Sequence, residues 1–185
     1  MQNFQAGRTG PERRVAAIVV MGVSGCGKTL VGEAIAARLG WRFVEGDRLH
    51  PPENVAKMAS GQPLDDADRE GWLDAIGAAV AAGIADGNGV VAACSALKRK
   101  YRDRLRVFAP DILFVHLTID RETAGQRVGS RKGHFMPASL VDSQFAALES
   151  PQGDEFAISL NGLEPVEVLA ATAVERVSID RRRRI

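Results

Sequence analysis

The segment from Gly22 to Thr29 has the residue types and the spacing of a phosphate-binding loop. It reads GVSGCGKT and matches the pattern G-x-x-x-x-G-K-[ST]. In such a loop the glycines let backbone N–H groups converge on phosphate oxygens, the lysine reaches the β and γ phosphates, and the threonine hydroxyl ligates Mg²⁺. The motif therefore predicts a site for ATP and Mg²⁺, with Thr29 as the metal ligand. The residues of this predicted site are Gly22, Ser24, Gly25, Cys26, Gly27, Lys28, Thr29 and Leu30.

The two cysteines, Cys26 and Cys94, have neither metal-ligand spacing nor the pattern of a disulfide framework. This fits a reducing compartment, so we expect the protein to be cytoplasmic. Cys26 comes just before the expected start of a helix, a position that lowers the pKa of a thiol. We therefore predict that Cys26 is reactive and that bound nucleotide shields it.

Strands and helices alternate along the whole chain. Apolar runs predict five buried strands, at Val15 to Met21, Trp41 to Val44, Gly89 to Cys94, Ile112 to Leu117 and Phe156 to Leu160. A helical segment follows each strand, the first running from Lys28 to Leu39. This alternation predicts an α/β fold with a doubly wound, five-stranded parallel sheet, in which ligands bind beyond the carboxyl ends of the strands.

The chain of 185 residues is expected to form one domain over residues 13–180. Residues 1–12 are polar and Gly-rich and lack the apolar region of a secretory signal, so they are predicted to be a disordered lead-in. Residues 181–185 form a basic tail. The net charge of +1 does not indicate nucleic acid as a partner. No apolar run approaches the roughly 20 residues that span a bilayer, so no membrane association is expected.

The size of the chain and the absence of a guanine-reading N-K-x-D segment leave the small-molecule kinases as the expected class. Three further stretches are distinctive: Asp47 to Leu73 with DRLHP and KMASG, Cys94 to Arg106 with CSALK and YRD, and Arg131 to Phe145 with RKGHF and QF. With these stretches the sequence closely resembles the gluconokinase family from about Val15 to Thr172. The resemblance implies a P-loop, nucleoside-kinase-like fold with shikimate kinase as a structural cousin. It also implies ATP-dependent phosphorylation of D-gluconate at its 6-hydroxyl, and commonly a homodimer.

The sequence departs from the family pattern at a few positions. Cys26 and Thr29 stand where serines are usual, and Thr29 keeps the hydroxyl that binds the metal. Glu45 stands where an aspartate is expected, and Asp65 where an amide is expected. Of these changes, only that at Asp65 is expected to alter affinity for the acceptor.

The region after the second strand supplies candidate acceptor-binding residues. Asp47 should face the same crevice as the phosphate loop, where it would hydrogen-bond the acceptor hydroxyl and take its proton. A turn-capping aspartate is the alternative. His50 would donate to gluconate and Lys57 would pair with its carboxylate, unless they are a structural histidine and a solvated lysine. Glu45 is either a contact to a water on Mg²⁺ or a solvated acid.

The helix after the third strand is basic. Lys98, Arg102 and Arg106 recur at every fourth residue and therefore share one face. We predict that Lys98 and Arg102 bind substrate and that Ser95 contacts it through its hydroxyl or N–H; a solvated basic face is the alternative. The near-neutral chain and the lack of interleaved aromatic residues disfavour a nucleic-acid patch.

Residues 129–137 are predicted to form a short lid. Glycines and cations between two helices suit a segment that closes over a substrate. We expect Arg127 and Arg131 to stabilise charge on the transferring phosphoryl group, and His134 to contact the substrate. An exposed loop with cations at a helix C-terminus is the alternative.

Two other functions remain open at the level of the sequence. One is a kinase for another small acid, such as a shikimate kinase. The other is an ATP-binding regulatory module without turnover, against which the presence of Lys28, Thr29, Asp47 and the lid arginines argues.

Overall fold

The chain is built around one sheet of five parallel strands. The computed structural model describes residues 15–130 and 140–182. Neighbouring strands all pair in parallel, in the order β2-β3-β1-β4-β5. The predicted doubly wound, five-stranded parallel sheet is therefore confirmed. The strands are β1 (Ala17–Met21), β2 (Arg42–Glu45), β3 (Val90–Ala93), β4 (Leu113–Thr118) and β5 (Ala157–Asn161).

Helices cover both faces of this sheet, and a 3₁₀ turn, Gly46–Leu49, joins β2 to the next helix. The first helix has the bounds that the sequence predicts, whereas β1 begins two residues later than predicted, at Ala17. The helices are α1 (Lys28–Leu39), α2 (Pro52–Ala59), α3 (Asp66–Ala85), α4 (Arg99–Phe108), α5 (Arg121–Ser130), α6 (Val141–Ala147) and α7 (Val166–Arg182).

The strands are apolar on both faces because both faces of the sheet are buried. Ile18 and Val20 of β1 pack into a core cluster that includes residues of α1 and α7. Val19 and Met21 point the other way, into a second cluster with residues of α3 and α4. These four side chains are completely buried. The alternation along one strand therefore defines the two layers of the core.

The parallel arrangement brings the residues of the candidate site together at the carboxyl ends of the strands. The phosphate loop follows β1, the 3₁₀ turn with Asp47 follows β2, and Ser95 follows β3. Glu45 at the end of β2 pairs with Ala93 at the end of β3. Gly46 is required at the next position, because a Cβ there would lie 2.2 Å from the carbonyl oxygen of Ala93. This close approach fixes where the acceptor side of the site begins.

Candidate active site

The phosphate loop has a backbone that only glycine adopts readily at its bends. Gly22, Gly25 and Gly27 have φ values of 138°, 85° and 98°. A Cβ on Gly22 would also lie 2.7 Å from the carbonyl oxygen of Leu117, and one on Gly25 would lie 2.8 Å from that of Ala124. The loop is therefore pressed against β4 and α5, and its shape depends on the absence of side chains.

Hydrogen bonds to two other segments, and one within the loop, hold the phosphate loop in place. The N–H of Gly22 donates to the carbonyl oxygen of Ser95 at 3.2 Å. The N–H of Ser24 donates to Oε1 of Gln144 at 2.7 Å. Within the loop, Lys28 Nζ donates to the carbonyl oxygen of Val23 at 3.1 Å. The lysine thus already lies along the loop, where an incoming phosphate could take over its contact.

Thr29 lies against the acidic end of β2. Its Oγ1 donates to Oε2 of Glu45 at 2.7 Å, and Oε1 of Glu45 accepts from the N–H of Asp47 at 3.3 Å. A hydroxyl beside carboxylate oxygens is the donor set that Mg²⁺ prefers. Among the described residues no group of three or more His, Cys, Asp and Glu side chains could hold a metal. Thr29 and Glu45 fit Mg²⁺ that keeps waters and takes further ligands from phosphate.

A cavity lies between the phosphate loop and the residues after β2 and β3. It joins Lys28, Asp47, His50, Ser95 and Arg69. Its volume is about 30 Å³. Its other lining residues are Ser24, Met58, Pro63, Leu64, Leu140, Ser143 and Gln144.

His50 forms one wall of this cavity as a neutral imidazole. Its ring stacks on Trp72 with centroids 4.1 Å apart and planes 11° from parallel. Trp72 is fixed in turn, because its Nε1 donates to the carbonyl oxygen of Gly46 at 2.7 Å. The pKa of His50 is lowered to about 4, mainly by burial; Asp47 opposes this shift and nearby Arg69 contributes to it. At neutral pH the ring can therefore donate or accept a hydrogen bond without carrying charge.

Besides Lys28 of the phosphate loop, the cation among the described lining residues of the cavity is Arg69, which the sequence analysis did not select. Lys57 instead pairs with Asp68 at 2.5 Å, and Lys98 pairs with Asp66 at 2.8 Å; neither lysine lines the cavity. Helical spacing offered a signal, since Arg69 is three and four residues before Trp72 and Leu73, both buried. A charged residue on the apolar face of a helix needs a polar partner, and here that face opens into the cavity.

A second cleft, of about 330 Å³, runs along the other side of the phosphate loop. Leu30, which is 57% exposed, lies in it together with Arg127. Arg127 Nη1 donates to the carbonyl oxygens of Gly25 and Gly162, at 3.3 and 3.4 Å. Arg127 therefore lies beside the phosphate loop and lines this second cleft, not the cavity that Asp47 and Arg69 line.

Comparison with known proteins shows the relationship that this geometry suggests. The family model of shikimate kinase matches residues 24–151. The gluconokinase of Gluconobacter oxydans is 50% identical over 152 residues, which are 82% of this chain and 85% of that protein. The chain belongs to the gluconokinase family. The thermosensitive gluconokinase of Escherichia coli is 47% identical over 137 residues, which are 74% of this chain and 73% of that protein.

Solved structures agree with membership of the gluconokinase family. The gluconokinase of Sinorhizobium meliloti superposes with a TM-score of 0.78 at 46% identity, over 90% of this chain and 93% of that chain. The shikimate kinase of Aquifex aeolicus has a TM-score of 0.62 at 14% identity, over 88% of this chain and 96% of that chain. The second likeness shows a common fold alone.

Arg102 is not at the acceptor cavity of this gluconokinase-family chain, in contrast to the prediction that it binds substrate. Its side chain is fully buried and donates twice to Glu155, from Nε at 2.6 Å and from Nη2 at 2.7 Å. Its Nη1 donates to the carbonyl oxygens of Ala96, Leu97 and Glu149. These contacts engage the guanidinium inside the protein, because a buried charge needs a partner there. Its role is therefore structural.

Cys26 also differs from its prediction. It is 1% exposed, and burial raises the pKa of its thiol, although Lys28 and the adjacent backbone N–H groups act in the opposite direction. Desolvation of the thiolate therefore outweighs the helix N-terminus, so the predicted lowering of the thiol pKa is wrong, while the reactivity of Cys26 and its shielding by nucleotide stay predictions. Of the other predicted residues, Arg131 and His134, with most of the predicted lid, lie outside the described residues.

Proposed function

We propose that the protein transfers the γ-phosphoryl group of ATP to the 6-hydroxyl of D-gluconate, giving 6-phospho-D-gluconate and ADP. The observation that supports this most is the cavity in which Asp47 and Arg69 face Lys28 of the phosphate loop. It combines a base for a hydroxyl, a cation for a carboxylate and a contact to phosphate. The relatives named gluconokinase share up to half of their aligned residues with this chain.

Asp47 is the proposed base of the reaction. Its carboxylate would accept a hydrogen bond from the 6-hydroxyl and take its proton as the oxygen bonds to the γ-phosphorus. The bond from that phosphorus to the β–γ bridging oxygen breaks, and ADP leaves. Lys28 would contact the β and γ phosphates, and the loop N–H groups would hold the phosphate oxygens so that the γ-phosphorus is in line with the acceptor hydroxyl.

Arg69 is the proposed partner of the gluconate carboxylate. A guanidinium can bind a carboxylate through two parallel hydrogen bonds, which orients the acid as well as attracting it. His50, held neutral by burial, would hydrogen-bond the polyol chain from the wall of the same cavity. Binding at the carboxylate end would direct the far end of the substrate, which carries the 6-hydroxyl, toward the phosphate loop.

Thr29 and Glu45 are the proposed residues at the Mg²⁺ site, Thr29 as a ligand and Glu45 through a water. The ion would neutralise charge that develops on the phosphate oxygens. We also propose, from the family resemblance, that the protein is a homodimer in the cytoplasm. We expect neither nucleic acid nor a membrane among its partners. In the described part of the chain, no helix is both long and apolar enough to cross a membrane.

A coupled assay of ADP release tests the proposed function. ADP should form only when ATP, Mg²⁺ and D-gluconate are all present, and the product should be 6-phosphogluconate by phosphorus NMR. The Lys28→Met protein should lose this activity while its melting curve shows that it is folded. Preference for shikimate over gluconate would refute the proposal in favour of another acid kinase, and gluconate-independent ADP release would refute it in favour of an ATPase module.

A further inference from the structure

The phosphate loop is hydrogen-bonded to a side chain that lies 120 residues further along the chain. The N–H of Ser24 donates to Oε1 of Gln144 at 2.7 Å. Ser24 is 9% exposed and Gln144 is 8% exposed, so water does not readily replace either partner. A buried backbone N–H without an acceptor is costly, and here a helix beyond the lid region supplies that acceptor.

The core holds Gln144 where this contact can form. Val141, three residues earlier on α6, is buried in the core cluster shared with α1 and α7, and Phe145 packs against the same cluster. Residues three or four apart on a helix share a face, so this packing sets both the height and the rotation of α6. Ser143 and Gln144 then line the acceptor cavity. Packing of α6 on the core therefore positions Gln144 for its contact with Ser24.

Ser24 lies at the point where the phosphate loop faces the acceptor. A turn, closed by the N–H of Cys26 on the carbonyl oxygen of Val23 at 3.3 Å, places Ser24 at its bend. Ser24 and Lys28 are the phosphate-loop residues that line the cavity with Asp47. The γ-phosphoryl group must cross from loop to acceptor here, so a shift of Ser24 would move the donor relative to Asp47.

We propose that Gln144 is a positioning residue for phosphoryl transfer, which fixes the acceptor-facing bend of the phosphate loop through the N–H of Ser24. This rests on the proposed function, because it assumes transfer into this cavity. Gln144 lines the cavity with Lys28 and Asp47, where transfer would take place, and does not line the cleft of Leu30 and Arg127. Its loss therefore affects turnover and the γ-phosphate more than it affects ADP.

The first test compares Gln144→Met with Gln126→Met. Methionine has similar length but offers Ser24 no comparable acceptor, whereas Gln126 lies exposed on α5 and donates to Glu122. We expect Gln144→Met to lower kcat by about tenfold or more, the effect of one misplaced buried hydrogen bond. The Kd for ADP should change by less than about twofold. A kcat within twofold of the wild type would overturn the proposal, and Gln126→Met should stay within that range.

The second test uses Gln144→Glu and needs no turnover. The carboxylate still accepts from Ser24, so the melting temperature should stay close to that of the wild type. It also places negative charge beside the γ-phosphoryl position. Titration calorimetry should show a non-hydrolysable ATP analogue weakened about tenfold more than ADP, since repulsion near a buried site is weakly screened. Equal weakening of both nucleotides, or of neither, would overturn the proposal. If wild-type protein binds nucleotide but gluconate elicits no ADP, the proposed function fails and this comparison still stands.

Discussion

Asp47 and Arg69 lie on different elements but reach the same small cavity. Asp47 sits in the 3₁₀ turn after β2, and Arg69 in the first turns of α3. Trp72 links the two elements, because it belongs to α3 and donates to the carbonyl oxygen of Gly46. The two elements that carry Asp47 and Arg69 are therefore joined by a buried indole. If the proposed roles hold, substitution of each residue should affect a different kinetic constant.

Replacing Asp47 with Asn should remove chemistry and leave nucleotide binding. Asparagine keeps the size of the side chain but offers no base, and positioned bases contribute about 10²- to 10⁴-fold. We expect kcat to fall at least about 100-fold, with the Kd for ATP within about threefold. Steady-state kinetics and titration calorimetry give the two values. Asp86→Asn, on the exposed C-cap of α3, is the matched control. Loss of ATP binding with normal kcat would instead assign Asp47 to the metal.

Replacing Arg69 with Met should weaken gluconate specifically. A hydrogen bond to a charged group contributes about 1.5–3 kcal/mol, so KM for gluconate should rise about 10- to 150-fold while KM for ATP stays nearly constant. The exposed Arg38→Met is the control for loss of one positive charge. Assays with D-glucitol, a neutral polyol without a carboxylate, test whether Arg69 acts through that group. The activity on D-glucitol should be poor in the wild type and no lower in the Arg69→Met protein. An unchanged KM for gluconate would argue that another cation binds the carboxylate.

The phosphate loop and Asp47 could be proposed from the sequence because their chemistry is local to a short motif. Arg69 was not proposed, because its place in the cavity depends on which way a helix faces. Lys57, Lys98 and Arg102 were plausible by charge, yet the first two pair with acids of α3 and Arg102 turns inward. A buried cation requires a partner, and the partner of Arg102 is Glu155 on a distant segment. No local sequence pattern predicts such a pair.

At the scale of elements, the sheet followed directly from the sequence, whereas the contacts between helices did not. Runs of β-branched residues predict buried parallel strands, and alternation with helices predicts their winding. The contacts that hold α4 in place could not be predicted in this way. Arg102 and Arg106 both reach Glu155, ahead of β5, and they hold the pKa of that carboxyl at about 2. This cluster ties α4 to the connection between α6 and β5.

Removing Arg102 should therefore destabilise the fold without touching the site. Arg102→Met leaves Glu155 as a buried charge with a weaker partner, and breaking a buried pair in this way costs about 3–5 kcal/mol. Urea unfolding should show a loss of that size. The control is Arg121→Met, whose pair with Asp142 is 62% and 72% exposed and should contribute less than about 1 kcal/mol. If both variants lose the same free energy of unfolding, the buried cluster is not a major source of stability.

At the scale of the whole molecule, buried histidines set the response to mild acid. His116 lies in β4 between β1 and β5 and is 1% exposed. Burial lowers its pKa, and the nearby Arg102 adds to the shift. The chain has three histidines, and the pKa of His50 is lowered as well. Below the unfolded value of about 6.5, the unfolded chain binds these protons and the folded protein does not.

Stability should therefore be full above about pH 6.5 and fall as the pH drops below it. Carboxylates such as Glu155 and Asp74 have lowered pKa values, so their contributions are lost only below about pH 4. Melting temperatures between pH 7 and pH 5 thus report mainly the histidines. His116→Asn, which keeps a polar group for Ser159 but does not titrate, should flatten this dependence. A variant with the same slope as the wild type would exclude His116 as its source.

The stacking of Trp72 on His50 gives the protein a built-in optical probe. Trp72 and Trp41 are its two tryptophans, and Trp41 lies at the amino ends of β2 and β3, against Gly89. Indole emission responds to the polarity and the charge of whatever touches the ring. In a Trp41→Phe protein the remaining indole emits from behind the wall of the acceptor cavity, so filling that cavity should change its intensity or colour. Acceptor binding then becomes visible in stopped flow, before any phosphate moves and without a label.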